Sequence, residues 1–256
     1  PYKTYSPSEL EYNRNMEKKC FEAADKISLT SKLTMDFYVK KYPQYEDKFL
    51  LFPNVFDEEN ISEKKQINFN RKLKIAHTGN FYGKRNPKFL LDVLVKLNKK
   101  NLLENIEFTF AGNIDENSSE LIKKANLKQV KYIGNLSSSE SLELQKDSDI
   151  LFVIDKPFES EVDKCFLPSK VIDYMVARKY IIGITDKESS TENFVQNKYG
   201  KAFNYNESDS LENHLIKLIE AFNKKDSEKF EINEIDYSYS AKKNVERLYE
   251  LFKKII

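Results

Sequence analysis

In the stretch FLPSKVIDYMVARKYIIGI, Phe166 to Ile184, a proline opens what reads as a helix, a lysine follows in the first turn, and a carboxylate comes three residues later. Lys170 is out of place in a helix that needs only to be stable, because unpaired amides at a helix N-terminus attract anions and repel cations. A pair between Lys170 and Asp173 has the weaker orientation, with the cation nearer the N-terminus, and would be worth roughly a few tenths of a kcal/mol. A bound diphosphate removes the difficulty. Pro168 suits the first helical position, where its missing amide is not needed, and Ser169, Lys170 and the free amides would then form an anion site. Asp173, one turn deeper, could accept hydrogen bonds from ribose hydroxyls, as acidic residues do in other nucleotide sites. Cation for phosphate and carboxylate for sugar is the polarity a nucleotide demands.

Two other loops carry residues of the same kind. His77 is followed by TGNFYGKRNP; Gly79 would let the backbone approach a ligand closely, Gly83 would let the loop turn, and Lys84, Arg85 and Lys88 bring cations to that place. A solvated turn with a basic helix start explains this loop equally well when it is taken alone. Gly134, Asn135 and Leu136 offer a third loop, whose backbone could hydrogen-bond a base while Leu136 packs on it; a plain strand-ending turn is the alternative. Val171, Ile172, Met175 and Val176 read as core packing. No GxSxG, HExxH, GxxxxGK[ST] or GxGxxG pattern occurs, so hydrolase, zinc-protease, P-loop and standard dinucleotide readings lose support. His214, in ENHLIKLIEAF, reads as a structural residue on a helix surface or edge.

The elements that must position these loops follow from periodicity. Apolar runs predict strands at Leu73–His77, Ile106–Gly112, Val130–Gly134, Asp149–Ile154, Tyr180–Ile184 and Gly200–Tyr205. Between them, NPKFLLDVLVKLNKK places Phe89, Leu90, Val93, Leu94 and Leu97 on one stripe, and SSSESLELQKDSD begins with a serine cap. Strand and helix alternating with short connections predict a doubly wound, Rossmann-like parallel sheet of the α/β class, with helices on both faces. Ligands of such sheets bind beyond the C-terminal ends of the strands, where all three loops fall. Upstream, ELEYNRNMEKKCFEAAD and SKLTMDFYVKKY predict helices, KISLTS and DKFLLFPN strands, and DEENISEKKQINFNRK a polar linker. The first seventy residues are too few for a domain of their own. A last helix from about Tyr237 to Ile256 carries Val245, Leu248, Leu251, Phe252 and Ile255 at helical spacing, to be buried on this domain or on a neighbour.

The bulk properties narrow the class. A chain of 256 residues can bury a substantial core, and its formal net charge of +1 gives no global field for nucleic acid or acidic membrane. Cys20 and Cys165 are the only cysteines and have no metal-ligand spacing, so both are expected to be reduced thiols. No apolar run approaches the roughly 20 residues that cross a bilayer, and PYKTYSPSEL has no signal core. A cytoplasmic protein is expected.

Taken in order, HTGNFYGKRNPKFLLDVL, YIGNLSSSESLELQKDSDILFVI and FLPSKVIDYMVARKYIIGITDKESSTENFV resemble the donor-binding, C-terminal half of the GT-B glycosyltransferases, in particular the large family 4 group. The resemblance covers about Leu73 to the C-terminus, and its most specific element is the PSK helix with an acidic residue before tyrosine. More weakly, ADKISLTSKLTMDFY and FLLFPNVFD resemble the closing elements of the N-terminal, acceptor-binding domain. It implies residues 1–58 as a remnant of that domain, 59–71 as linker and 72–256 as the nucleotide-sugar domain with a crossing helix. The rest of the first domain is not in this sequence, so a fragment, inactive by itself, is expected.

Carried over position by position, the resemblance implies Gly79 and Asn80 against the donor phosphates, Arg85 and Lys170 as the cations stabilising the departing diphosphate, and Ser169 at the phosphate-binding helix start. It implies Asp173 on the ribose and Gly134, Asn135 and Leu136 around the base. Two departures are visible: the usual glutamate is the shorter Asp173, and the residue eight before it, often a second glutamate, is Cys165, with Glu159 and Glu161 out of register. A retaining outcome is therefore left open. The implied donor is a nucleotide-diphosphate sugar, UDP-sugar first, with no metal and no other cofactor. The implied acceptor is a sugar, lipid-linked sugar or protein hydroxyl in surface polysaccharide or glycoconjugate synthesis, and any peripheral contact with the inner membrane face would come through the N-terminal domain. A sugar-nucleotide epimerase of the same architecture, with His77 and the Glu159–Asp163 loop as its acid/base groups, and a non-catalytic nucleotide-binding module are the rivals.

Overall fold

The computed structural model describes residues 5–64, 66–196, 198–232 and 234–255. The chain begins with a helix α1 (Pro7–Ala23), a strand β1 (Ile27–Leu29), a helix α2 (Lys32–Lys41) and a strand β2 (Phe49–Leu51). Helix α1 starts where the sequence allows: Ser6 and Glu9 form a reciprocal capping box. Strands β1 and β2 pair in parallel as a sheet of their own. Phe21 anchors this part through edge-on contacts with Tyr38, Tyr42, Tyr45 and Phe49. The described residues between β2 and the main sheet are irregular apart from a short 3-10 turn at Glu58–Asn60, yet Ile67 and Phe69 pack on the main core.

The main sheet follows as β3 (Leu73–Thr78), β4 (Ile106–Ala111), β5 (Val130–Tyr132), β6 (Ile150–Ile154), β7 (Tyr180–Ile184) and β8 (Gly200–Phe203). Its order is β5-β4-β3-β6-β7-β8, every pair parallel. The crossovers carry α3 (Lys88–Lys99), α4 (Glu116–Ala125), α5 (Ser138–Asp147), α6 (Lys170–Val176) and α7 (Ser190–Val195), and α8 (Ser208–Asn223) follows β8. Side chains alternate strictly across the pleat. In β6, Ile150, Phe152 and Ile154 join the core beneath α3 and α8, while Leu151 and Val153 join the core beneath α6 and α7. That two-sided burial is why the strands read as continuous apolar runs rather than as alternating ones.

The strands fall where periodicity predicts them, with several ends one or two residues shorter. The predicted N1 proline is displaced: α6 begins at Lys170, and Pro168 and Ser169 offer carbonyls to the amides of Val171 and Ile172 in a tight first turn. Ser169 is exposed and its side chain caps nothing. The last helix, α9 (Ala241–Ile255), starts after a separate 3-10 turn at Tyr237–Tyr239. Its predicted stripe packs on this domain only in part. Asn244 is buried and Leu248 and Leu251 are half-buried, but Val245 and Phe252, one position off that line, are 60% and 50% exposed. Ile256 and the Ile255 side chain lie outside the described residues.

Gly200 opens β8 with φ +155°, and a Cβ there would fall 1.9 Å from the Ile181 carbonyl oxygen of the neighbouring strand. Since neither backbone can yield without breaking the β7–β8 ladder, Gly200→Ala is expected to cost about 2–4 kcal/mol. Urea denaturation of the two proteins measures this directly.

Candidate functional site

The order of strands reverses between β3 and β6, the place where an open parallel sheet leaves a crevice. Here the two strands also part. β3 pairs with β4 along its whole length, Leu73 to Thr78, but with β6 only at Ile75 and Ala76. Side chains close the remaining gap. His77 Nδ1 lies 2.9 Å from the Phe152 carbonyl oxygen, and the Tyr174 hydroxyl, coming up from α6, lies 3.2 Å from the same oxygen and 3.1 Å from the Thr78 amide nitrogen. A carbonyl can only accept, so His77 carries its proton on Nδ1 and leaves Nε2 as a lone pair.

Gly79 stands just above this floor with φ +153°. An added Cβ would lie 1.7 Å from Lys170 Nζ and 3.4 Å from His77 Nε2. The bare glycine is therefore what lets the ammonium lie on the backbone at the strand end. Lys170 makes no hydrogen bond or ion pair among the described residues. Burial pushes its pKa down to about 8, with Arg85 adding to the effect and Asp155 and Asp173 opposing it. Burial likewise pushes the Asp173 carboxyl up to about 6, against the pull of Lys170. The two are thus neighbours in field but not partners in contact, and each remains available to a ligand.

Six of the residues singled out by sequence, Gly79, Asn80, Asn135, Leu136, Lys170 and Asp173, wall a single cavity of about 170 Å³. Gly134 supports it from behind: its carbonyl accepts the Gly112 amide at 2.8 Å. Asn80 is already used structurally, its Oδ1 accepting the Asn113 amide at 2.9 Å. Arg85 lies beside the cavity rather than on its wall. Its guanidinium rests over the Tyr82 ring and 4.0 Å from Asp155. Asp155, almost fully buried at the end of β6, has its carboxyl raised by desolvation and accepts the Thr185 hydroxyl at 2.8 Å.

Sequence reasoning missed Asp155, which lies beside Arg85, and Thr78, Ala111, Gly112, Ser141 and Gln145, which complete the wall. Asp155 carried a signal, since it directly follows a fully apolar strand. Gln145 carried none, because it is one polar residue among many on α5. His77 is completely buried, stacked on Phe81 at 4.6 Å, and held well below its ordinary pKa by burial and by the charges of Lys170 and Arg85. It cannot face a sugar. His214 is a packing residue: its Nε2 lies 3.0 Å from the Tyr180 hydroxyl, and burial pushes it down to about 4.

At the position eight before Asp173, the Cys165 carbonyl accepts the hydroxyls of Ser31, Thr34 and Ser190. Burial raises the thiol. Glu159 is bonded to Lys84, and Glu161 to Lys164 at 3.1 Å. Neither cysteine forms a disulfide.

A doubly wound parallel sheet with its crevice at this switch point is a Rossmann-like α/β domain of the GT-B type. The chain belongs to the glycosyl transferases group 1, whose family model matches residues 57–235. Solved structures agree on the fold. Anabaena HepE, in complex with UDP and glucose, superposes with a TM-score of 0.70 at 13% identity, covering 98% of this chain and 68% of HepE. A glycosyltransferase from Rickettsia africae gives 0.67 at 14% identity, covering 99% of this chain and 68% of that protein. TarM from S. aureus, in a complex that includes UDP, gives 0.67 at 14% identity and covers 93% of this chain but only 46% of TarM. Comparison with curated proteins by sequence gives no match. No described helix is long and apolar enough to cross a membrane.

The buried ammonium leaves a mark on stability. Lys170 has a folded pKa below its ordinary 10.5, so the unfolded chain holds the extra proton between about pH 8 and 10.5 and folding gains stability as pH rises through that window. The gain is on the order of 3 kcal/mol. Lys170→Met should lack it, so urea titrations of both proteins from pH 7 to 10.5 are expected to show the wild type gaining on the variant.

Proposed function

We propose that this chain is the donor-binding portion of a glycosyltransferase that moves a sugar from a nucleotide diphosphate, UDP first among candidates, to an acceptor hydroxyl. The observation that carries the proposal is the desolvated Lys170 ammonium held on Gly79, with Asp173 one turn further along the same cavity. In this reading the diphosphate takes the place of the missing counter-ion of Lys170, and Asp173 accepts the ribose. Arg85 stands ready for the outer phosphate once the ligand competes with Asp155. During transfer the bond from the anomeric carbon to the diphosphate oxygen breaks and a bond to the acceptor oxygen forms, the acceptor proton being released. Charge then grows on the leaving diphosphate, and fixed cations in a site shielded from water stabilise it without reorganising.

That HepE and TarM structures contain UDP supports UDP as the first candidate. In the same reading residues 1–58 are closing elements of an acceptor-binding domain and 59–71 the linker. The chain spans about two thirds of HepE and less than half of TarM, so transfer by these residues alone is expected to be slight. The acceptor is proposed to be a sugar, lipid-linked sugar or protein in surface polysaccharide or glycoconjugate synthesis, with the protein working in the cytoplasm or at the inner membrane face. The epimerase alternative is disfavoured by the burial of His77, which leaves it no access to a sugar.

Calorimetric titration with UDP, GDP and their sugars is the direct test. One of these is expected to bind, and Lys170→Ala to weaken it by about ten-fold or more, with Arg85→Ala having a smaller effect. Absence of binding by every member of the panel would sink the proposal.

A further inference from the structure

Arg85 is carried by a loop, and a loop side chain meets a ligand productively only where its support is fixed to within about half an ångström. Tyr82 and Arg85 close this loop into a tight turn, each amide donating to the other's carbonyl, at 2.9 and 3.1 Å. The Arg85 guanidinium rests on the Tyr82 ring, 5.4 Å from its centroid, and Nη1 donates to the Tyr82 hydroxyl at 3.2 Å. The aim of Arg85 is therefore set by where Tyr82 is held. Tyr82 is 41% exposed, so core packing alone does not hold it.

The backbone on either side of Tyr82 is bound to a single residue. The Phe81 carbonyl accepts the Asp115 amide at 3.1 Å, and the Gly83 amide donates to Asp115 Oδ2 at 2.8 Å. Asp115 ends the β4–α4 connection as the N-cap of α4, where its Oδ1 accepts the Ser118 amide at 2.9 Å. Each carboxylate oxygen thus has its own task. Burial works to raise the Asp115 pKa, yet the bonds from Ser118 and Gly83 outweigh it and hold the carboxyl below its ordinary value, so both oxygens accept at neutral pH. The other link to the tip of the turn, Lys84 with Glu159, joins exposed side chains and is worth little.

Asp115 is not on the cavity wall. We propose that it is a positioning residue of the donor site: by clamping the turn on both sides of Tyr82 it aims Arg85 at the outer phosphate of the donor. The proposal rests on the donor-site reading above and adds to it what holds the diphosphate end of the site in place.

The cap can be kept while the clamp is removed. In Asp115→Ser the single short oxygen still caps α4, serine serving there about as well as aspartate, but nothing is left for Gly83. Calorimetry on the 256-residue chain with UDP and UMP reads the difference, since only UDP carries the outer phosphate. The wild type should bind UDP about ten-fold more tightly than UMP. Arg85→Ala should lower that ratio to about two-fold and Asp115→Ser to about three-fold, each leaving UMP affinity within about two-fold of the wild type. The two changes combined should give the Arg85→Ala ratio again, because Asp115 acts only through Arg85. An unchanged ratio in either single variant, equal weakening of UDP and UMP in Asp115→Ser, or a further fall in the double variant would overturn the assignment. So would a wild type that binds UDP and UMP alike, a comparison that needs no variant to fold. Failure of the wild type to bind either nucleotide is a different result and refutes the donor-site reading itself.

Discussion

The site depends on a seam. Strands β3 and β6 meet where the strand order reverses, and their ladder is short, limited to Ile75 and Ala76 of β3. Above Ala76 the main chain of β3 is left without a partner on that side. Tyr174 supplies one, its hydroxyl accepting the Thr78 amide, while His77 Nδ1 donates to the Phe152 carbonyl of β6. They turn an opening between strands into a closed floor. Gly79 and the Lys170 ammonium lie on that floor, and a loss at the seam would reach them before it reached the rest of the core.

The charges above the floor form two sets. Arg85 is held near Asp155, a buried carboxylate whose own environment favours its neutral form. Lys170 and Asp173 are each desolvated, and each is pushed toward neutrality without contact with the other. Such a site is costly to hold unliganded, since desolvation opposes every charge and direct pairing offsets little of it. In the reading proposed above, a ligand carrying both an anion and hydroxyl donors offsets that cost. Membership of the glycosyl transferases group 1 fits that polarity.

The N-terminal segment is tied to the main domain next to α6. Hydroxyls of Ser31 and Thr34 from the start of α2, and of Ser190 from α7, converge on the carbonyl of Cys165. A backbone oxygen thus ties the first fifty residues to the loop before α6. No side-chain chemistry at Cys165 is needed for this, and Cys165 carries no carboxylate.

Strands and helices were legible because parallel strands buried on both faces must be continuously apolar, and because serine caps and leucine stripes mark helices such as α5 and α3 locally. Lys170 and Asp173 were legible for a similar reason: a cation at a helix start violates local electrostatics, and the violation can be seen in a few residues. The stripe of α9 was legible and Leu248 and Leu251 are half-buried, but only packing decides which of its apolar residues turn inward. The approach of Arg85 to Asp155 and the place of Gln145 in the cavity wall were not legible, because each depends on residues far apart in sequence meeting across a strand seam. By itself the sequence determined the alternation of elements and the sheet edge at which Gly79, Lys170 and Asp173 gather, both consequences of local periodicity and local charge. Only the tertiary structure decided that Lys170 would rest on Gly79, that His77 would be sealed beneath it and that Gln145 would face the same cavity, because desolvation and hydrogen-bond pairing are set by neighbours in space.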